Sequence, residues 1–215
     1  MPTLLHLDSS CDLVDSRSRS LTQLFAENWV AAGTDHRVIY RDLHTEPLPH
    51  LPDSWLHWPA DMRPPGLTLP AGSELLQEGI IAELLAADVV LIGAPMYNYS
   101  LPSTLKVWVD YIHVPGVTSD FEGSGRPMEG RPAVIVNTRG AIYDAGTPTE
   151  TWDHGTPVLD LILGVSLGMS LSVVTVSRTL ADFVLALADQ RERGAEELES
   201  ARVRLIELAG QLAAR

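Results

Sequence analysis

The stretch DVVLIGAPMYNYSLPSTLKVWVDYI, residues 88–112, decides the fold. Its first part, DVVLIG, is an unbroken apolar run, which is typical of a parallel strand that is covered on both faces. Pro102 suits the first turn of a following helix, where its missing N–H costs nothing. The stretch therefore predicts a strand, a loop and a helix, with the loop at the carboxyl end of the strand.

The same alternation continues along the chain. Apolar runs predict strands, and apolar residues at helical spacing predict the helices between them. The predicted strands are residues 3–7, 36–40, 88–93, 133–137 and 171–176. The predicted helices are residues 18–32, 73–86, 103–113, 157–167 and 182–213, with Gly168 ending the fourth in the left-handed conformation and Gly194 as a candidate break in the fifth.

Five strands alternating with five helices predict an α/β fold of the flavodoxin-like type. The expected sheet is parallel, in the order 2-1-3-4-5, with helices on both faces. Ligands bind such sheets at the carboxyl ends of the strands, where the strand order reverses. No repeat and no shift in composition marks a second domain, so we expect one domain over residues 1–215.

The composition limits the partners and the compartment. A formal net charge of −13 over 215 residues disfavours nucleic acid and anionic membranes, which repel an acidic surface. Cys11 is the only cysteine, so no disulfide forms within the chain. The N-terminus shows no signal peptide and no segment is apolar enough to span a bilayer, so we expect a cytoplasmic protein.

A serine-rich loop follows the first predicted strand. The sequence DSSCDLVDSRSRS, residues 8–20, brings five serines and two arginines to the start of a predicted helix. Hydroxyls and the free N–H groups of a helix N-terminus bind phosphate. A serine here is also the usual N-cap, so Ser16 and Ser18 have two open interpretations. The number of hydroxyls in one loop favours the anion site.

Two further loops open at the same edge of the predicted sheet. The third strand runs into APMYNYS, residues 94–100, and the fourth runs into NTRGAIYDAG, residues 137–146. Because the carboxyl ends of parallel strands share one edge, the three loops are expected to lie together. Gly140 lacks a Cβ and suits close approach of a planar ligand, although alone it is an ordinary turn glycine.

Other candidate sites are weaker. His44, His50 and His57 lack the spacing of zinc ligands, so no metal site is predicted. Asp153 is interpreted as a helix-start carboxylate, and no catalytic side chain is assigned. Residues 45–70 contain seven of the 15 prolines, which predicts an irregular excursion rather than a helix or strand.

The motifs together resemble those of the FMN-dependent NADH:quinone oxidoreductases known as azoreductases. The resemblance covers nearly the whole chain. It consists of LDSS near the start, SRS at the first helix, RDL after the second strand, APMYN with the following LPSTLKVWVDYI, the TRG turn, and the LG…G pattern of residues 163–168. The APMYN motif with the helix after it is fairly specific.

The resemblance implies that FMN is the cofactor and that NADH or NADPH is the cosubstrate. The implied phosphate site consists of Ser10, Ser16, Arg17 and Ser18. The implied contacts to the isoalloxazine and ribityl chain come from the loop Pro95, Met96, Tyr97, Asn98 and Tyr99. The implied pyrimidine edge runs along Thr138, Arg139, Gly140 and Ala141.

The resemblance also implies an activity and an assembly. Quinone, azo or nitro compounds are the expected small-molecule acceptors, reduced by hydride transfer through flavin N5 in alternating half-reactions. A homodimer with the flavin near its interface is expected, and the aromatic Trp108 and Tyr111 are either interface or core residues. Two alternatives stay open: a flavoenzyme acting on one biosynthetic intermediate, and a flavodoxin-like electron carrier, although the Thr/Gly-rich phosphate loop of such carriers is absent.

Three features depart from the family pattern or stand out against it. Ala141 occupies a place where the family turn commonly has a second glycine, so its methyl group is expected to affect the placement of the flavin. Trp55 and Trp58 give the excursion the character of a specialised substrate wall. Lys106 is the only lysine, which leaves a specific role and a solvated helix lysine equally open.

Overall fold

A computed structural model describes residues 1–215 as a parallel sheet between two layers of helices. The strands are β1 Thr3–Asp8, β2 Arg37–Asp42, β3 Val89–Pro95, β4 Pro132–Thr138 and β5 Ser170–Val176. The helices are α1 Arg17–Ala31, α2 Ser73–Ala86, α3 Ser103–Ile112, α4 Thr156–Leu159 and α5 Arg191–Ala213, and α4 continues as a π-helix over Asp160–Ser166.

The sheet has the predicted topology. All four neighbouring pairs of strands are parallel, and their order is β2-β1-β3-β4-β5. The chain moves from β1 outward to β2 and then crosses to β3 on the other side of β1. This reversal leaves a crevice at the carboxyl ends of β1 and β3, which is where the candidate loops begin.

Both faces of the central strands β1, β3 and β4 are buried, and β3 shows how the residues divide between the two faces. Val89 and Leu91 pack into the core under α1 and α5. Val90 and Ile92 pack into the opposite core, under α2, α3 and α4. Because successive side chains of a strand point to opposite faces, burial on both faces requires an unbroken apolar run.

Helix α3 belongs to the second of these cores. Trp108 and Tyr111 are both fully buried there, so neither is available to an interface between chains. The interpretation of these two aromatics as core residues is therefore confirmed. On the exposed side of α3, Lys106 forms an ion pair with Asp110 one turn later, as a solvated helix lysine does.

The last helix begins later than predicted. Residues 179–182 and 185–190 form two 3₁₀ turns, and α5 starts at Arg191 rather than at residue 182. The Arg191 Nε donates to the carbonyl oxygen of Ala181 (2.7 Å) and ties the helix start to the first of these turns. Gly194 does not break the helix: it is buried within α5, and the Cβ of Arg178 would lie 3.5 Å from an added Cβ.

The predicted helix over residues 157–167 is present but widens into the π-helix. The Leu167 N–H bonds to the Ile162 carbonyl oxygen (2.9 Å), five residues earlier, and Gly168 follows at φ 76°. The left-handed Gly168 is as predicted. The apolar pattern alone does not distinguish five-residue from four-residue hydrogen bonding, so the π-helix could not be predicted.

The excursion over residues 45–70 is irregular, as predicted, apart from two 3₁₀ turns at Ser54–His57 and Ala60–Met62. Leu56 is fully buried, and its carbonyl oxygen accepts a hydrogen bond from Gln77 of α2 (2.8 Å). Trp58 packs edge-on against Phe121, with ring centres 5.9 Å apart. The excursion thus covers the α2–α3 side and does not line the candidate site of its own chain.

None of the helices combines the length with the apolar character that a membrane-spanning segment needs.

Candidate functional site

The loops after β1, β3, β4 and β5 meet at a cavity of about 860 Å³ at the carboxyl edge of the sheet. Ten predicted cofactor residues line it: Ser10, Ser16, Arg17, Pro95, Met96, Tyr97, Asn98, Tyr99, Thr138 and Gly140. Three predicted residues, Ser18, Arg139 and Ala141, do not line it. The sequence analysis had not assigned the others: Cys11, Asp12, Asp15, Tyr143, Thr179, Leu180, Asp182 and Phe183.

The serine loop brings two hydroxyls to the N-terminus of α1. Ser16 is the N-cap, since its Oγ accepts a hydrogen bond from the N–H of Arg19 (3.3 Å). The capping interpretation is therefore confirmed for Ser16. Ser18 is buried inside the first turn, with its Oγ 3.2 Å from that of Ser16. The two hydroxyls stand beside free N–H groups of the helix, an arrangement that also binds phosphate.

Arg17 supplies a donor that the protein itself does not use. Its Nη2 pairs with the carboxylate of Asp182 in the loop after β5. Its Nη1 is buried and has no hydrogen-bond partner. A buried charged donor without a partner is unfavourable, and a phosphate group in the cavity would complete its hydrogen bonding. The serine loop therefore suits a phosphate group.

Arg19 holds the serine loop in place, and the sequence analysis missed it. Its Nε and Nη2 donate to the carbonyl oxygen of Ser10 (3.2 and 2.7 Å). Its Nη1 and Nη2 form a two-point ion pair with Asp42 (2.8 and 2.9 Å). The pair lies 23 residues apart in the chain, and only the parallel pairing of β1 with β2 brings Asp42 to this edge.

Asp42 is the anionic partner in this arrangement. Burial by itself would raise the pKa of the Asp42 carboxyl, but hydrogen bonds from Arg19 and from the N–H groups of Thr45 and His44 outweigh it. The pKa of Asp42 therefore lies well below its ordinary value. The carboxylate stays ionised at neutral pH and keeps Arg19, and through it Ser10, in position.

The loop after β3 is a tight turn with a strained backbone. Tyr97 and Ser100 exchange two backbone hydrogen bonds (3.0 and 3.1 Å). Between them Asn98 and Tyr99 have φ of 48° and 68°, in the left-handed region that favours glycine. Such a conformation costs a residue with a side chain on the order of 1 kcal/mol, and it concentrates at binding sites. Here the turn places the side chains of Asn98 and Tyr99 in the cavity wall.

Tyr97 connects this turn to the serine loop. Its phenolic oxygen accepts a hydrogen bond from the N–H of Cys11 (3.1 Å) and lies 3.1 Å from Ser10 Oγ. Burial raises the pKa of Tyr97, so the phenol is neutral at physiological pH. The loops after β1 and β3 thus form one connected wall of the cavity.

The turn after β4 contributes Thr138 and Gly140. A Cβ on Gly140 would lie 2.8 Å from Cδ1 of Leu180, in the loop after β5. Close approach was expected at Gly140 from a planar ligand, and in this structure a leucine side chain makes it. Ala141 is half-buried outside the lining, so an effect of its methyl group on the flavin remains a prediction.

Arg139 lies in the same turn, but its guanidinium is engaged outside the cavity. Its Nη2 donates to Ser177 Oγ (2.8 Å) and to Asp144 Oδ1 (2.7 Å), and its Nη1 lies 3.6 Å from Asp153 Oδ2. The carboxylate of Asp153 also accepts from the N–H groups of Gly155 and Thr156, so its interpretation as a helix-start carboxylate is confirmed. The contact of Arg139 with the pyrimidine edge of the cofactor remains a prediction.

Comparison with known proteins gives consistent matches along the chain. The model of a family described as having a flavodoxin-like fold matches residues 2–205. An FMN-dependent NADH:quinone oxidoreductase of Kineococcus radiotolerans is 56% identical over 212 residues, which is 99% of this chain and 100% of that protein. A protein of the same name from Frankia casuarinae is 39% identical, over 95% of this chain and 99% of its own length.

Solved structures with the same fold are more distant in sequence. An azoreductase from Bacillus anthracis str. Sterne superposes with a TM-score of 0.80 at 18% identity, over 98% of this chain and 100% of its own. An FMN-dependent NADH-azoreductase from Bacillus anthracis str. Ames Ancestor, solved in complex with FMN, gives 0.80 at 19% identity, over 99% and 100%. At this identity the likeness concerns the fold.

Proposed function

Because the chain belongs to the FMN-dependent NADH:quinone oxidoreductases of the flavodoxin-like fold, we propose that it binds FMN in the cavity described above and uses NADH or NADPH to reduce small quinone, azo or nitro compounds. The observation that carries the proposal is the convergence of four loops on one cavity that is lined by Arg17, whose buried Nη1 has no hydrogen-bond partner in the protein. Bound FMN would supply the hydride chemistry through its N5 atom.

The protein's own groups would bind and orient the cofactor. Ser10, Ser16, Ser18 and Arg17 would hold the phosphate, together with the free N–H groups of α1. Arg19 does not line the cavity and would act indirectly, because it holds the carbonyl oxygen of Ser10 in position.

The other loops would hold the ring system. The strained turn with Asn98 and Tyr99 and the backbone of residues 138–141 would form its polar and apolar edges. Leu180 and Phe183 would exclude water from that side. The nicotinamide and the acceptor would occupy this cavity one after the other, in two half-reactions. No side chain is assigned to proton transfer.

Purified protein is expected to contain noncovalent FMN and to oxidise NADH or NADPH in the presence of a small quinone. Heat release followed by chromatography identifies the flavin, and absorbance at 340 nm follows turnover. Recovery of FAD alone, or a colourless protein that takes up no added FMN, would contradict the cofactor assignment. An FMN-loaded protein that consumes no reduced nicotinamide would instead indicate an electron carrier.

We also propose that the protein is a homodimer of two single-domain chains. Support comes from Leu161 and Val165 of the π-helix, which are 58% and 61% exposed although both are large and apolar. Helix α4 connects the π-helix to His154, whose N–H bonds to the carbonyl oxygen of Tyr99 in the cavity wall. The free thiol of Cys11 is exposed, which suits a reducing cytoplasm.

Light scattering is expected to give twice the chain mass of 23.4 kDa for the native protein at micromolar concentration. Leu161→Arg should shift it to the monomer mass, because a charge would be buried without a partner in the interface. Val203→Arg is the matched control: Val203 is 50% exposed on α5, across the sheet, and should leave the dimer intact. A native protein of monomer mass would exclude the proposal.

A further inference from the structure

Three aromatic side chains meet at the edge of the cavity, and we call them the aromatic wall. The ring centre of Tyr99 is 6.3 Å from that of Tyr143 and 5.5 Å from that of Trp152, and both contacts are edge-to-face. Tyr99 and Tyr143 line the cavity, and Trp152 adjoins Tyr99 outside the lining. Tyr99 and Trp152 are each 46% exposed, so their rings retain free apolar surface.

The position of Trp152 relative to Tyr99 is set by backbone contacts. The N–H of His154 donates to the carbonyl oxygen of Tyr99 (2.8 Å). A Cβ on Gly155 would lie 3.3 Å from the carbonyl carbon of Ser100, so glycine allows the two backbones to pack closely. Residues 152–155 thus pack against the strained turn and stabilise the position of Tyr99 within it.

Arg139 is the positioning residue for the other two members of the wall. Its guanidinium carbon lies 5.6 Å from the centre of the Tyr143 ring. Its ion pairs reach Asp144, next to Tyr143, and Asp153, next to Trp152. One buried cation therefore holds both ends of the segment that carries these two rings.

We propose that the aromatic wall binds the outer ring of a planar two-ring acceptor of the naphthoquinone class, and that Trp152 sets the preference for two rings over one. The inference rests on the proposed function, which brings a planar acceptor to this cavity. Aromatic rings attract one another in offset and edge-to-face arrangements beyond the effect of buried area. Rigid tyrosine and tryptophan rings also lose little conformational entropy when a ligand binds.

The test compares two quinones by calorimetry, with oxidised FMN-loaded protein and without NADH. The probes are 2,3-dimethyl-1,4-naphthoquinone and tetramethyl-1,4-benzoquinone. Their quinone rings are fully substituted and have no free carbon to which the exposed thiol of Cys11 could add. Trp152→Leu should weaken the two-ring quinone about three- to tenfold and the one-ring quinone by less than about twofold. Trp152→Phe should keep the native preference, because it retains a ring.

Leu75→Ala is the control, since Leu75 is 74% exposed outside the cavity and should change neither constant. Equal weakening of both quinones, or no change in Trp152→Leu, overturns the inference. If Trp152→Leu does not fold, Tyr143→Leu makes the same comparison from the other side of Tyr99. A native protein that takes up no FMN or binds neither quinone overturns the proposed function, and the inference with it.

Discussion

Ser18→Ala is expected to weaken FMN binding about ten- to a hundredfold and to leave riboflavin binding unchanged. A hydrogen bond to a charged group contributes roughly 1.5–3 kcal/mol, and riboflavin lacks the phosphate that would accept it. Ser18 is buried outside the cavity lining, with its Oγ 3.2 Å from that of the lining residue Ser16, so its bond to a phosphate would replace the contact between the two hydroxyls. Ser18 does not cap the helix, so its loss separates phosphate binding from helix stability. Titration of the apoprotein with both flavins measures the effect.

Two neighbouring serines serve as comparisons. Ser20→Ala should change neither affinity, because Ser20 is exposed and its Oγ donates to the Arg17 carbonyl oxygen (3.2 Å). Ser16→Ala should weaken FMN and also lower the unfolding free energy by about 1 kcal/mol, since Ser16 is the N-cap. Equal weakening of FMN and riboflavin in Ser18→Ala would reject the phosphate role.

Asp42→Asn is expected to destabilise the protein by roughly 1.5–3 kcal/mol at pH 7, because it removes the carboxylate that bonds to Arg19 and leaves only that of Asp8, 3.8 Å from Arg19 Nη1. The difference should depend on pH. The pKa of Asp42 is lowered in the folded state, so its contribution is complete above the unfolded value of 3.8 and is lost as the pH falls below it. The gap between the variant and the native protein should therefore narrow under acid conditions.

Urea unfolding at pH 7, 5 and 3 measures this gap. Asp189→Asn provides the control, since Asp189 is an exposed carboxylate in the turn before α5 and its loss should matter little at any pH. A constant gap from pH 7 to 3 would show that Asp42 stabilises the fold by packing rather than by its charge.

The sequence analysis identified Ser18 as a candidate site residue but did not identify the ion pair of Arg19 with Asp42. Ser18 belongs to a loop whose serines and position after a strand already predicted an anion site. Arg19 lies in the same loop, but its task depends on a carboxylate 23 residues later and on a carbonyl oxygen nine residues earlier. Hydroxyl-rich loops are visible in a sequence because they are local, whereas an ion pair between strands needs the register of the sheet.

The sequence by itself determined the sheet and the edge where the site forms. Burial on both faces demands unbroken apolar strands such as residues 89–92, and a parallel order places their loops together. Gly168 could also be predicted, because its φ of 76° is a local requirement that glycine meets without strain.

Only the tertiary structure decided which side chains face the cavity. Arg139 stands in a predicted site turn, yet Ser177, Asp144 and Asp153 draw its guanidinium outside the cavity lining. Trp152 reaches Tyr99 across a long stretch of chain that has no periodic pattern. The spacing of apolar residues reflects the burial of helices and strands against a neighbouring layer, so it does not predict the contacts of irregular loops. The position of a side chain in such a loop depends on which charged groups and aromatic rings the folded chain places near it.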